Sequence, residues 1–263
     1  MLTKIKCIIL TLLNSFNDIY TLQFSTLKMT KSNNPNKFIS LYPAGINGFY
    51  TLGIASYIFD NYQTQEYNYI GASSGSWNSL ICCYKHNKTN FIKGLIDQPF
   101  FEKPKDIYAI QYGMFRYIFE NYHTRDFDLD KLHICLSELK VKRLELVSLI
   151  ISDFTSLGEA LSCCMSSSHI PYITSNQLIN EYQGRIVFDG GFSSFPPETI
   201  NVYFSISSTT FNYSDINSAL CGILSRNVSS KVIKDLYHQG YVDGKNNKKY
   251  LDEYFNPSQE NKN

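Results

Sequence analysis

The stretch 67–80 constrains the fold of this chain more than any other part of the sequence. Residues 67–70 form an apolar-polar run of the kind found in strands, Gly71, Ser73 and Gly75 make a Gly-x-Ser-x-Gly motif, and a helical pattern follows. This order is typical of a nucleophile elbow, a sharp strand-to-helix turn that presents a serine hydroxyl in a cleft. Glycine is needed at both motif positions because a side chain there would collide with the neighbouring strand and helix. A serine-glycine turn without chemistry is the alternative.

The composition is that of an ordinary globular protein. The chain has 263 residues, of which 43% are hydrophobic and 18% charged, and this suits one substantial core and excludes a disordered chain. A net charge of +1 leaves no basic excess to neutralise phosphates, so we predict no nucleic-acid partner. Seven cysteines without a C-x-x-C spacing predict neither a disulfide framework nor a zinc site. We therefore expect buried cysteines in a reducing compartment, an intracellular protein and no metal ion.

The first 36 residues differ in pattern from the rest of the chain. Two lysines precede the short apolar run 7–13, which has the outline of a signal peptide but lacks a cleavage site of small residues and is too short to span a bilayer. A frayed helix or a contact with a membrane surface is the preferred interpretation, and secretion stays open. We predict an N-terminal extension and linker over 1–36, one domain over 37–255 and a polar tail over 256–263.

Two strand-turn-helix units follow each other directly in this domain. Residues 38–42 predict a strand, 43–48 a glycine turn, and apolar residues at helical spacing continue to Tyr62. The elbow is the second unit, with its strand at 67–70 and a helix that ends near Tyr84. Consecutive units of this kind predict a parallel sheet with helices packed on it, because parallel strands need crossover connections.

The remaining segments predict further helices and strands. Residues 88–131 contain no obvious strand, and Pro104 is placed to open a helix. The buried stripe of that helix is interpreted as core packing, with a cap over a substrate as the alternative; its members are Ile107, Ile110, Met114, Phe115, Ile118 and Phe119. The other predicted elements are strands at 132–136, 144–151, 185–188 and 200–206, a helix at 156–167, and two helical stretches before residue 256.

An acyl-transfer serine needs hydrogen-bond donors for the oxyanion that develops on its substrate. The glycine turn 43–48 lies at the carboxyl end of the strand that precedes the elbow strand. In a parallel sheet the two loops lie side by side, so the N–H groups of Ala44, Gly45 and Ser74 are predicted to form the oxyanion hole next to Ser73. A phosphate-binding loop is the rival interpretation, but the turn lacks the Lys-Ser/Thr pair of a P-loop.

The same serine needs a base, and two candidates remain open at this point. Among five histidines, only His238 follows an acid such as Asp189 in the order of a hydrolase triad. The second candidate is Asp189 itself, which follows a strand directly and precedes Gly190 and Gly191. Partial burial would raise the pKa of this carboxyl and make a direct Ser–Asp dyad workable. A turn-forming Asp-Gly-Gly without chemistry is the alternative for this motif.

Four blocks occur in an order that resembles the patatin-like phospholipase family, including its adiponutrin-type animal members. The first contains Pro-Ala-Gly-Ile-Asn-Gly, the second is the elbow, the third resembles a Ser-x-x-Ile-Pro stretch and the fourth is Asp-Gly-Gly. The resemblance covers about 38–206 and extends through 240–243. The four blocks are 39–53, 71–76, 166–171 and 189–191.

The resemblance implies a lipid acyl hydrolase that uses a Ser–Asp dyad, with Ser73 as the nucleophile and Asp189 as the base. It also implies a three-layer α/β/α sandwich around a mainly parallel central sheet, no cofactor, and a lipid substrate met at a membrane or droplet surface. The motif glycines that carry the resemblance are Gly48, Gly71, Gly75, Gly190 and Gly191.

The glycine block departs from the family pattern at three positions. Pro43 and Ala44 replace the first two glycines, and since proline has no N–H, the oxyanion hole is left to Ala44, Gly45 and Ser74. Asn47 stands where many family members carry arginine, which leaves the head group of the substrate undefined. The sequence makes no prediction of the oligomeric state.

Two other functions remain open from the sequence. A catalytically weak or silent lipid-binding protein is suggested by the altered glycine block. An esterase or acyltransferase with a Ser-Asp-His triad would use His238 in place of a direct dyad.

Overall fold

The computed structural model of the protein describes residues 37–101, 106–208 and 228–256. The predicted extension 1–36 and the tail after Asn256 lie outside the described residues. The strands are β1 (Lys37–Leu41), β2 (Tyr67–Ala72), β3 (Leu132–Lys140), β4 (Glu145–Ile151), β5 (Asn180–Tyr182), β6 (Arg185–Phe188) and β7 (Val202–Ile206). The α-helices are α1 (Gly48–Asn61), α2 (Ser74–Cys82), α3 (Lys88–Ile96), α4 (Ile107–Asn121), α5 (Leu157–Ser167), α6 (Ser230–Asn246) and α7 (Lys248–Phe255). Short 3-10 helices lie at Gly45–Asn47, Pro99–Phe101, Thr124–Asp126, Leu129–Lys131 and Gly190–Phe192.

The strands form one seven-stranded sheet with a parallel centre. β1 pairs in parallel with β2 and with β7, and β2 pairs in parallel with β3. Beyond this centre, β4 and β6 pair with β3 in the antiparallel sense, and β5 pairs with β6 likewise. The chain is therefore mixed α/β with a mostly parallel central sheet flanked by helices, which agrees with the predicted three-layer sandwich.

The central strands carry buried apolar side chains on both faces of the sheet. Ile39 and Leu41 of β1 belong to the large core that also contains the buried residues of α1 and α2. Their neighbour Phe38 lies in a second cluster on the other face, together with Ile70 of β2 and Phe195 from the loop after β6. Burial of both faces is typical of parallel sheets and explains the continuous apolar character of these strands.

Helix α1 is enclosed between the sheet and α6. Residues 48–58 of α1 are all buried, and Gly240 of α6 lies so close to the backbone of Tyr50 that a Cβ there would collide with its carbonyl oxygen. The Tyr50 hydroxyl donates to Asp243 Oδ2 at 2.9 Å. The C-terminal segment is thus an integral part of the domain, because it covers the helix that begins at the glycine turn.

Helix α4 confirms one prediction and corrects two details. Ile107, Ile110, Met114 and Ile118 form its buried stripe. Phe119 was predicted to belong to this stripe but is 56% exposed, because at about 100° per residue it lies roughly 120° around the helix from Ile107. The helix begins at Ile107 with Asp106 as its N-cap, whereas Pro104, predicted to open it, lies outside the described residues.

The sequence did not predict α3 or the short strand β5. β5 has three residues and, within the described ranges, pairs with β6 alone, so it offers too few positions for a periodic pattern. Helix α3 begins at Lys88, where the Asn87 side chain accepts a hydrogen bond from the N–H of Asn90. This N-cap is the local signal that could have revealed α3.

Two further expectations concern cysteines and membranes. The five cysteines of the described ranges are free and buried, as predicted; they are Cys82, Cys83, Cys135, Cys163 and Cys164. In the described parts of the chain, no helix combines the length and apolar character needed to cross a membrane.

Candidate active site

Ser73 occupies a strained turn between β2 and α2. Its backbone has φ 54° and ψ −128°, a conformation that costs a residue with a side chain roughly 1–3 kcal/mol. The surrounding residues hold it in place. The N–H and the hydroxyl of Ser76 donate to the Ser73 carbonyl at 2.9 and 2.6 Å, and the Ser73 N–H donates to Ser167 Oγ at 2.9 Å. The predicted elbow is therefore present in three dimensions.

The two elbow glycines are required by close backbone contacts. A Cβ on Gly75 would collide with the carbonyl oxygen of Leu41, the last residue of β1. A Cβ on Gly71 would collide with the carbonyl oxygen of Gly75 itself. This confirms the physical reason given for both glycines from the sequence, and it places the elbow directly against the glycine turn.

Asp189 is buried at the end of β6, where it is 1% exposed. Its Oδ1 accepts a hydrogen bond from the Gly191 N–H at 2.8 Å, whereas Oδ2 has no hydrogen-bond partner among the described residues. Burial raises the pKa of Asp189 to about 6, while the nearby Ser73 hydroxyl and the Gly191 N–H act to lower it. The hydroxyl is thus close to the carboxyl, although no hydrogen bond joins them in this structure. A carboxyl that titrates near neutrality is suited to act as a base.

The C-terminal end of α5 holds both halves of the candidate dyad. The Ser167 hydroxyl accepts from the Ser73 N–H and donates to the Cys135 carbonyl at 2.6 Å. Two residues further on, the His169 carbonyl accepts from the Asp189 N–H at 2.8 Å. The sequence placed this segment in the third family block but gave it no role. A serine run at the end of a predicted helix was its only signal.

The predicted oxyanion donors lie beside Ser73 but are not equivalent. The N–H of Ala44 donates to Ser74 Oγ at 3.0 Å, so it is already occupied by a side chain. The N–H groups of Gly45 and Ser74 have no hydrogen-bond partner among the described residues. Gly45 has φ 53°, a left-handed conformation that glycine adopts at little cost. The oxyanion role of these groups stays a prediction.

The other motif glycines also lie at the site. A Cβ on Gly190 would collide with the Cys135 carbonyl, and one on Gly191 would lie 3.1 Å from Asp189 Oδ1 and 3.2 Å from the Pro43 ring. Asn47 is buried as the N-cap residue of α1. Its side chain makes no capping hydrogen bond to α1, and Asn47 does not line the cavity at Ser73.

A mainly apolar cavity opens at Ser73. It encloses about 580 Å³, including space open to solvent, which is within the usual range for small-molecule sites. Helix α4 supplies one wall, and α2 and the glycine turn supply the other. The residues that line the cavity are Gly45, Ile46, Gly48, Phe49, Ser73, Ser74, Trp77, Asn78, Ile107, Ile110, Gln111, Met114, Ser168, Ile170 and Thr174.

The structure does not bring His238 to this cavity. His238 is exposed on α6 and is absent from the cavity lining. His169 lies closer to the dyad, but burial lowers its pKa to about 4, and its Nδ1 is paired with the Ser175 hydroxyl at 3.1 Å. The contact between His169 and Asp189 is through the His169 backbone carbonyl.

If the ester hydrolysis predicted from the sequence takes place at this site, we expect Ser167→Ala to lower its kcat by roughly 10- to 100-fold with little change in KM. The substitution removes the acceptor of the Ser73 N–H and the donor to Cys135, so the strained elbow loses a fixed contact. Steady-state kinetics with a soluble ester measures this. Ser162→Ala is the control, because that hydroxyl is on the same helix but donates to Gly158 at an exposed position. Equal kcat for both variants would contradict the role given to Ser167.

A scan against models of known protein families finds no match for this chain, and a search of curated proteins finds no similar sequence.

Proposed function

We propose that the protein is a lipid acyl hydrolase that cleaves carboxylic esters through a Ser73–Asp189 dyad, as its resemblance to patatin-like phospholipases suggests. The observation that carries this proposal is a strained serine close to a buried carboxyl whose pKa is raised to about 6. Both are held by the same end of α5, and the serine opens onto an apolar cavity. This combination is what nucleophilic catalysis on an ester requires.

In the proposed reaction, Ser73 Oγ forms a bond to the ester carbonyl carbon while its proton passes to Asp189 Oδ2. The carbonyl electron pair moves onto oxygen, where N–H groups of Gly45 and Ser74 stabilise the negative charge. The bond to the alcohol then breaks, and the alcohol takes the proton from Asp189. Water next attacks the acyl-enzyme and gives a proton to the same carboxylate, which returns it to Ser73 as the acid leaves.

The cavity supports a substrate with an acyl chain. The α4 side chains Ile107, Ile110 and Met114 give it an apolar wall, while its polar side chains carry no charge. Phospholipids and lysophospholipids are the first choice, followed by triacylglycerol and by transfer to an acyl acceptor other than water. In addition to Phe119, α4 exposes the aromatic side chains of Tyr108 and Tyr112. Exposed aromatic residues suit contact with a membrane or droplet surface.

The test is covalent labelling with a fluorophosphonate probe, followed by hydrolysis of phospholipid vesicles. We expect the native protein to label at Ser73 and to release fatty acid. Ser73→Ala should do neither, because no other hydroxyl replaces the activated nucleophile, and its hydrolysis rate should fall by at least about 10⁴-fold. Near-equal thermal unfolding temperatures would show that the variant is folded. Labelling of Ser73→Ala at the native rate would exclude Ser73 as the nucleophile.

A silent lipid-binding protein is the second candidate function. It is favoured by two observations, namely the missing hydrogen bond to Asp189 Oδ2 and the occupied N–H of Ala44. The same probe separates the two functions, because an unactivated serine does not react with fluorophosphonates. Native protein that binds phospholipid vesicles but fails to label would establish the second candidate and exclude the first.

A further inference from the structure

The oxyanion hole of this chain has fewer free backbone N–H donors than the three predicted from the sequence. Pro43 has no N–H, and the N–H of Ala44 donates to Ser74 Oγ at 3.0 Å. Of the three N–H groups predicted to form the oxyanion hole, this leaves those of Gly45 and Ser74, which have no partner among the described residues. A site built from these groups alone would have two donors, unless the Ser74 side chain contributes another.

The Ser74 hydroxyl is able to make that contribution. A hydroxyl that accepts one hydrogen bond keeps its own hydrogen for donation, and no acceptor for this hydrogen is present among the described residues. Ser74 follows the nucleophile directly and lines the same cavity as Ser73. An oxygen of a ligand in the cavity is therefore the natural acceptor.

Gly48 fixes the place of the Ser74 side chain. A Cβ on Gly48 would lie 2.6 Å from Ser74 Cβ and 3.0 Å from Ser74 Oγ, so only glycine at this position leaves room for the serine. The start of α1 thus packs against the side chain that receives the Ala44 N–H. This contact gives the last glycine of the Pro-Ala-Gly-Ile-Asn-Gly turn a specific function.

We propose that the Ser74 side-chain hydroxyl is an oxyanion-hole donor, and that the N–H of Ala44 polarises it. The inference rests on the proposed ester hydrolysis, since it names a further group for that reaction. Ala44 acts through Ser74, so the two form a short chain of donors that ends on the developing negative charge. Consecutive hydrogen bonds of this kind strengthen one another. The Ser74 hydroxyl would thus add a third donor to the N–H groups of Gly45 and Ser74, in a site where Pro43 has no N–H to donate.

The experiment compares Ser74→Thr with Ser74→Val, together with Ser74→Ala. Threonine and valine add the same volume next to Gly48, so the pair differs only in the hydroxyl. We expect kcat of Ser74→Val to be about 10²-fold below that of Ser74→Thr, with KM changed little. Ser74→Ala should lose kcat relative to the native protein by a similar factor. The rate of reaction with a fluorophosphonate should fall in parallel, since its adduct also places an oxygen in the oxyanion hole.

The opposite result has a clear meaning. If the hydroxyl only blocks the Ala44 N–H, then Ser74→Ala frees that donor, and kcat stays equal or rises. Either outcome in an active protein would overturn this inference and leave the proposed function intact. Native protein that neither hydrolyses esters nor reacts with the probe would overturn the proposed function, and this inference with it.

Discussion

Asp189→Asn is expected to lower kcat for the proposed ester hydrolysis by roughly 10³-fold or more. The amide cannot accept the proton of Ser73, while its oxygen still accepts the Gly191 N–H that Oδ1 accepts in the native protein. In the native protein, kcat/KM should fall about tenfold per pH unit below pH 6, because the pKa of Asp189 is about 6 and only the carboxylate acts as a base. Steady-state kinetics of both proteins with a soluble ester, measured across this pH range, gives the loss of kcat in the variant and the pH dependence of kcat/KM in the native protein.

The stability of the same variant relative to the native protein should increase as the pH rises. Burial holds the pKa of Asp189 at about 6 in the folded state, against 3.8 as its ordinary value. Between these values the folded protein binds more protons than the unfolded one, so this group contributes stability below about pH 4 that is lost as the pH rises through 6. The loss amounts to about 3 kcal/mol at pH 7. Asparagine does not titrate, so the free energy of unfolding of Asp189→Asn relative to the native protein should rise by roughly 2 kcal/mol from pH 4 to pH 7, which is most of that loss.

Denaturant unfolding of both proteins across this pH range provides the measurement. Other titrating groups cancel in the difference between the two proteins. Asp130→Asn is the matched control, because it makes the same change at an exposed position. An Asp189→Asn variant with native kcat would exclude the dyad. A stability difference that does not change with pH would show that Asp189 is charged without penalty in the folded protein.

Gly75→Ala is expected to destabilise the protein by about 3 kcal/mol or more and to abolish activity. The added Cβ would collide with the carbonyl group of Leu41 and approach the carbonyl oxygen of Tyr42 at 2.9 Å. These atoms are backbone of the strand and turn that form the other side of the site, so they cannot move without displacing β1 from α2. Urea unfolding and circular dichroism measure the loss of stability.

Gly94→Ala is the matched control, since it makes the same change within helix α3. A Cβ there would lie 3.1 Å from the Tyr117 hydroxyl, which is the end of a side chain and can shift. Alanine favours a helix interior over glycine by about 1 kcal/mol, so this variant should be neutral or more stable. If both variants had the same stability, the tight contact at the elbow would not be a feature of the folded protein.

Much of the candidate site could be predicted from the sequence, because its signals are local. A strand pattern followed by Gly-x-Ser-x-Gly and a helical pattern predicted the elbow, and an aspartate between a strand and two glycines indicated the candidate base. The crossover units predicted the parallel centre of the sheet. In each case the conformation depends on residues that are close together in the chain.

Other features could not be predicted, because they depend on contacts between distant segments. The partner of the Ser73 N–H is 94 residues away, at Ser167, and no pattern around either residue indicates the pair. The strand at 185–188 was predicted, but its short antiparallel partner β5 has only three residues and could not be recognised.

The order of residues determined where the chain turns, which elements alternate and which serine and aspartate lie at the ends of strands. These properties follow from glycine's conformational freedom and from the periodicity of apolar residues, both of which act over a few positions. Tertiary packing alone decided that the end of α5 holds Ser73 and Asp189 in place, that burial raises the Asp189 pKa to about 6, and that the Ala44 N–H is bound by Ser74. These three features have the same physical reason, because desolvation and hydrogen-bond geometry depend on which distant groups the fold brings together.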